Sequence, residues 1–99
     1  MNWSAAMLHP ADNVATLLAP VDAGESVRVR RPAGEELALV ATEAIPLGHK
    51  IALVDLAAGE RVLKYGQCIG ETRGVVAQGA WVHTHNLRSL RAQPAPAPA

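Results

Sequence analysis

The 99-residue sequence predicts an all-β domain built from short strands. Three observations carry that reading. Apolar and polar residues alternate in short runs, most clearly at Val27, Arg28, Val29 and Arg30. Glycine and proline then break the chain into pieces too short for ordinary helices. Finally, one spacing recurs four times: an apolar residue, a glycine three positions later, and a second apolar residue three beyond that. The copies are Val21, Gly24 and Val27; Ile45, Gly48 and Ile51; Leu56, Gly59 and Val62; and Val76, Gly79 and Val82. Each reads as a turn with glycine at positive φ, both arms anchored in the core, and a strand beginning after the glycine. The intervals between copies are uneven, so the chain is no solenoid.

Taken in order, residues 1–8 show no clear period and predict a loosely held start. His9, Pro10, Asp12 and Asn13 are punctuation. Asp12 or Asn13 either caps a short helix over Val14 to Leu18 or leads into a strand, with the balance toward strand. Arg28, Arg30 and Arg31 read as a solvated strand edge. Pro32 to Glu35 is a turn, followed by a strand over Leu37 to Ala41. Ile51 to Val54 is apolar on both faces and therefore central. Asp55 to Ala58 suggests a single helical turn. Val62 to Tyr65 is a strand closed by Gly66, and Cys68 to Gly70 a brief strand or bend. Gly74 to Val76 and Trp81 to Asn86 complete the series. The predicted domain spans residues 9–90. Residues 91–99 are expected to be a disordered tail, its proline-alanine part extended and polyproline-like.

Composition narrows the functional classes. Hydrophobic residues make up 49% of the chain but aromatics only 3%, with no phenylalanine. The core must therefore be aliphatic, which argues against a deep aromatic-lined pocket. Nine basic residues balance nine acidic ones, so the basic excess of a nucleic-acid binder is absent. Cys68 is the single cysteine, which excludes an internal disulfide and suits a cytoplasmic location. Neither a signal peptide nor an apolar run of membrane-spanning length is visible, so no membrane partner is expected.

Chemistry concentrates in Trp81 to Asn86. If this segment is extended, His83 and His85 point to one face. Two such imidazoles can ligate a metal or bracket an anionic substrate. Two ligands are too few for a tight site, so a third would come from His49, His9 or a partner. The alternative is a structural or solvent-facing role. Asn86 either orients a histidine, bonds a substrate hydroxyl, or makes a turn. His49 and Lys50 follow the Gly48 turn and read as a carboxylate-binding or acid–base pair, or as an exposed loop pair. Tyr65 reads as core filler, Lys64 faces solvent or a partner, and Cys68 is a small buried hydrophobe.

Three stretches resemble a known family. They are Ile45 to Lys50, Val62 to Gly70, and Gly79 to Asn86, with Asp12, Asn13 and Val14 fitting its beginning. In this order they resemble the SAF-type domain of the altronate/galactarate dehydratase (UxaA) family, over about residues 9 to 87. The resemblance implies a SAF-like β-clip fold of short strands. It also implies a lyase that eliminates water, or sulfite in the small-subunit form, from a sugar acid or related hydroxy acid, leaving a 2-keto product. A divalent metal, commonly iron, is implied as cofactor, shared with a partner subunit. The large UxaA-type catalytic domain is missing from this chain, so a separate large subunit is the expected partner. On this reading His49, Lys50, His83 and His85 are catalytic, Lys64 and Asn86 bind substrate, and His83 and His85 are metal ligands. A homo-oligomer is also plausible on size grounds. The alternative function is a non-catalytic β-clip binding or assembly module.

Overall fold

The computed structural model describes the backbone of residues 3–93, with side chains through residue 89. Nine strands and no helix form among these residues: β1 (Ala5–Ala6), β2 (Val14–Leu17), β3 (Ser26–Arg30), β4 (Glu36–Val40), β5 (Lys50–Ala52), β6 (Arg61–Lys64), β7 (Gln67–Thr72), β8 (Trp81–Val82) and β9 (Leu87–Gln93). No helix among them is long and apolar enough to cross a membrane. One sheet runs β4-β3-β1-β2-β5-β8 and a second runs β6-β7-β9. Only β1 and β3 pair parallel. The mostly-β, curled-sheet architecture is that of a SAF β-clip.

The fourfold spacing is the skeleton of this fold. Each copy closes a four-residue turn in which the glycine stands third. The N–H groups of Glu25, His49, Glu60 and Ala80 donate to the carbonyls of Asp22, Pro46, Ala57 and Ala77. Gly24, Gly48, Gly59 and Gly79 all have positive φ, between 74° and 88°. A side chain at that position of the turn meets its own backbone, which is why glycine recurs there. All eight apolar anchors are buried, none more than 7% exposed. Those of the first two copies enter one hydrophobic cluster and those of the last two the other. Antiparallel bridges join Val21 to Ile45 and Leu56 to Val76, linking the copies in pairs. The domain is thus two similar halves, each built from two turns and an aliphatic core. Burying such a side chain contributes about 1.5–3 kcal/mol.

Asp12 and Asn13 fasten the β6–β7 hairpin to the first sheet. Asn13 Oδ1 accepts the Leu63 N–H (2.8 Å) and Asn13 Nδ2 donates to the Arg61 carbonyl (2.9 Å). Buried Asp12 accepts the N–H groups of Tyr65 (3.0 Å) and Gly66 (2.9 Å). Both central residues of this two-residue turn have positive φ, 57° at Tyr65 and 71° at Gly66. That geometry matches the right-handed twist of the flanking strands.

Several expectations differ from the structure. Residues 3–8 are not loosely held: β1 is an inner strand and Ala5 is fully buried. Alternation was too short there for a period to show. Asp55 to Ala58 makes no helical turn; Leu56 bridges Val76 and the glycine turn follows. β3 lies between β4 and β1, so Arg28 and Arg30 are not on an edge, and Arg28 pairs with Glu36 at 2.7 Å. Tyr65 is 65% exposed at the hairpin tip rather than in the core. β5 is an inner strand between β2 and β8, one from the end of the sheet; it stops at Ala52, and Val54 is 47% exposed, so Ile51 to Val54 is not central throughout. β9 continues through Gln93, while the proline-alanine residues 94–99 lie outside the described residues.

Candidate active site

Strand register brings His49 and His83 together. β5 and β8 pair antiparallel with Lys50 opposite Val82 and Ile51 opposite Trp81. Continuing that register places His49 opposite His83, where cross-strand side chains share a face. Their rings lie 4.7 Å apart, edge to face. Ile51 is in the first core and half-buried Trp81 packs against it, so the indole forms a floor rooted in that core.

Three histidines contact this indole. His83 stacks on it at 5.5 Å with an interplanar angle of 10°. His49 and His85 meet it edge-on, each at 5.4 Å. Trp81 Nε1–H donates to His49 Nδ1 (3.2 Å). With Nδ1 accepting, the neutral form of His49 would carry its proton on Nε2. Half-buried His83 has its pKa lowered, first by burial and then by the charges of His49, Lys50 and His85. That shift disfavours the charged imidazolium.

The segment is extended only through Val82. Asn86 N–H and Leu87 N–H both donate to the His83 carbonyl, turning the chain. The Asn86 side chain completes that turn: its Oδ1 accepts the His83 N–H (2.9 Å) and its Nδ2 donates to the Trp81 carbonyl (2.8 Å). His83 and His85 thus share the indole through a turn and not by strand alternation. The amide of Asn86 is occupied in setting the His83 backbone, the turn-making option among its possible roles.

Lys50 occupies the opposite face of β5. It stands opposite Thr16 of β2 and Val82 of β8, and is partly buried. Burial, and after it the charge of Lys64, lowers its pKa. His9 is placed elsewhere: its Nδ1 accepts the Ala11 N–H (3.0 Å) and its ring lies against Gly66. Buried Cys68 directs its thiol to the Gly70 carbonyl. Among the described residues, no three His, Cys, Asp or Glu side chains form a metal-binding group. A divalent metal here would need ligands from beyond this chain.

Sequence reasoning brought His49, Lys50, His83 and His85 forward, and the structure gathers the three imidazoles on one indole. It did not assign Trp81 its organising role, although Trp81 precedes His83 by two residues on a strand. Nor did it foresee Asp12 as the clamp on the hairpin that carries Lys64.

The architecture of short strands and glycine turns is consistent with a SAF-type domain. The family model for the altronate/galactarate dehydratase SAF domain matches residues 3–90, and the chain belongs to that family. It is 38% identical to altronate dehydratase of Escherichia coli over 82 residues, covering 83% of this chain and 16% of that protein. It is 37% identical to galactarate dehydratase (L-threo-forming) of Escherichia coli over 75 residues, covering 76% of this chain and 13% of the relative. Against (2R)-sulfolactate sulfo-lyase subunit alpha of Paracoccus pantotrophus the identity is 47% over 53 residues, covering 54% of this chain and 79% of that subunit. The chain thus spans a small fraction of the dehydratases it resembles and most of the sulfo-lyase subunit.

Proposed function

We propose that the domain is the small subunit of a UxaA-type lyase. In this reading it completes an active site with a separate large catalytic subunit, and the assembly eliminates water or sulfite from a sugar acid or related hydroxy acid. The observation that carries the reading is the His49–His83 pair on Trp81, in which one imidazole has a lowered pKa and the other has its Nδ1 held by the indole N–H. The coverage of a relative named as a subunit supports the division into two chains.

Elimination beside a carboxylate needs a base, an acid and cationic support for the charge that develops. His83 takes the proton from the carbon next to the carboxylate. The electron pair released forms the carbon–carbon double bond and expels the leaving group from the neighbouring carbon. His49 Nε2–H supplies a proton to that leaving hydroxyl, and the resulting enol becomes the 2-keto acid. Lys64 is assigned to the substrate's negative charge, while Lys50, on the other face of β5, acts on the site through its charge, which reaches His83. His85 lines the same indole, and Asn86 holds the His83 backbone. Were the implied divalent metal held here as a shared centre, His85 would offer it imidazole nitrogen and the partner the remaining ligands, and it would supply Lewis-acid support for the developing charge; His83 would be a ligand only in place of its role as base.

The test is reconstitution. The chain is mixed with a large UxaA-type subunit and 2-keto acid formation is followed on altronate, galactarate and sulfolactate. Activity that requires both chains is expected. Failure to associate, with no elimination on any of the three, would reject the proposal.

A further inference from the structure

β8 is two residues long and stands at the end of its sheet beside β5. So short an edge strand gains little from its ladder, yet Trp81 on it supports three imidazoles. The Ala80 carbonyl accepts the Ala52 N–H. In a trans peptide the N–H opposes the carbonyl, so the Trp81 N–H points away from β5. A half-buried backbone group of this kind needs a partner. Two side chains meet that need in place of a further strand. Glu43 Oε2 accepts the Trp81 N–H (3.1 Å). Asn86 bonds the Trp81 carbonyl and the His83 N–H.

The two caps differ in origin. Asn86 belongs to the turn that it closes. Glu43 comes from the β4–β5 connection, between the end of β4 and the Ile45 anchor of the turn that delivers His49. The segment that carries it is laid along residues 79–81. There the Thr42 N–H and hydroxyl both donate to the Gly79 carbonyl (2.9 and 3.3 Å). Gly79 permits this approach, since a Cβ there would meet the Val40 carbonyl oxygen. Glu43 is half-buried, and the ion pairs among the described residues, Arg28–Glu36 and Arg88–Glu71, do not involve it. A carboxylate on a backbone N–H makes one of the stronger hydrogen bonds. Glu43 thus joins the turn that delivers His49 to the strand that delivers Trp81.

We infer that Glu43 is a positioning residue of the site: through the Trp81 N–H it holds the indole on which His49, His83 and His85 are arranged. It acts through Trp81 and not by touching substrate. Without that bond β8 keeps its β5 side and its Asn86 cap but loses the tie to the His49 turn. The stack of His83 on Trp81 and the bond from Trp81 Nε1–H to His49 then loosen together. The consequence for catalysis rests on the lyase reading; the positioning itself does not.

The test compares Glu43→Ala with Glu43→Gln, which keeps an oxygen acceptor at the same reach, in the full chain. Proton NMR above the histidine titration range reads two signatures. One is the ring-current displacement of the His83 ring protons by the stacked indole. The other is the Trp81 indole N–H resonance, set by its bond to His49. Glu43→Ala is expected to lose much of both, and Glu43→Gln to keep them. Glu43→Asp keeps the charge but falls short by one methylene; it should match Glu43→Ala and replaces it where the alanine chain folds poorly. A residue that only stabilises the fold would lower the urea midpoint and leave both signatures in place. Parent-like signatures in Glu43→Ala or Glu43→Asp, or their loss in Glu43→Gln, would overturn the inference. In the reconstituted enzyme Glu43→Ala should lower kcat by roughly 10- to 100-fold with KM little changed, the scale of a misplacement of about 1 Å. Glu43→Gln should restore it, and a parent-like kcat in Glu43→Ala would overturn the role in the reaction. Because the spectra are read on the chain without a partner, a failed reconstitution leaves their result standing, and unmoved signatures leave the lyase reading intact.

Discussion

Replacing Asp12 by alanine tests how the β6–β7 hairpin is held. The carboxylate is buried and accepts two backbone N–H groups, from Tyr65 at 3.0 Å and Gly66 at 2.9 Å. Hydrogen bonds to charged groups contribute about 1.5–3 kcal/mol each. Tyr65 has a φ of 57°, a conformation that costs a non-glycine residue about 1–2 kcal/mol and persists only where the surroundings enforce it. Both amides sit at an outer turn and regain water when the carboxylate is removed, which offsets part of the loss. The expected net destabilisation is about 2–4 kcal/mol, a large fraction of the roughly 5–15 kcal/mol that holds a small domain folded. Urea unfolding followed by circular dichroism reads it as a lower midpoint with an unchanged slope. In the Asp12→Ala background, Tyr65→Gly should recover about 1 kcal/mol by removing the strained side chain. A midpoint shift equivalent to less than about 0.5 kcal/mol for Asp12→Ala would refute the clamp.

Other expectations follow from the same geometry. The His83 ring should titrate below the ordinary histidine value of about 6.5, read by NMR of its ring protons. The unfolded chain takes up that proton first, so His83 weakens the fold as pH falls below about 6.5, and His83→Gln should remove that part of the acid dependence. At Gly79 an added Cβ would collide with the Val40 carbonyl oxygen, whereas at Gly48 it meets open space. Both have positive φ. Gly48→Ala should therefore cost about 1–2 kcal/mol and Gly79→Ala distinctly more, by comparison of their urea midpoints.

Much of the fold was legible because its signal is local. The apolar–glycine–apolar spacing encodes turn, anchor and strand start together, and all four glycines adopt the conformation that the spacing implies. Non-local pairing was less legible. Ala5 and Ala6 carry no periodic signal, yet they form an inner strand because they pair with β2 on one side and β3 on the other, partners distant in sequence. Trp81 to Asn86 looked extended because its histidines alternate, but the Asn86 amide closes a turn that alternation cannot reveal. Tyr65 looked like a core ring because rings are scarce, and its exposure follows from the two-residue turn that Asp12 holds. The pairing of His49 with His83 depends on β5–β8 register across more than thirty residues, whereas the two motifs were each visible separately.

The account rests on His83 as the proton acceptor of a shared lyase site. The most direct measurement is kcat/KM for the reconstituted two-chain enzyme carrying His83→Gln, alongside the parent and His85→Gln. With association unchanged, His83→Gln should lower kcat/KM by roughly 100- to 10,000-fold, the usual contribution of a positioned base. Full activity in a His83→Gln enzyme, with the large subunit bound, would contradict the account.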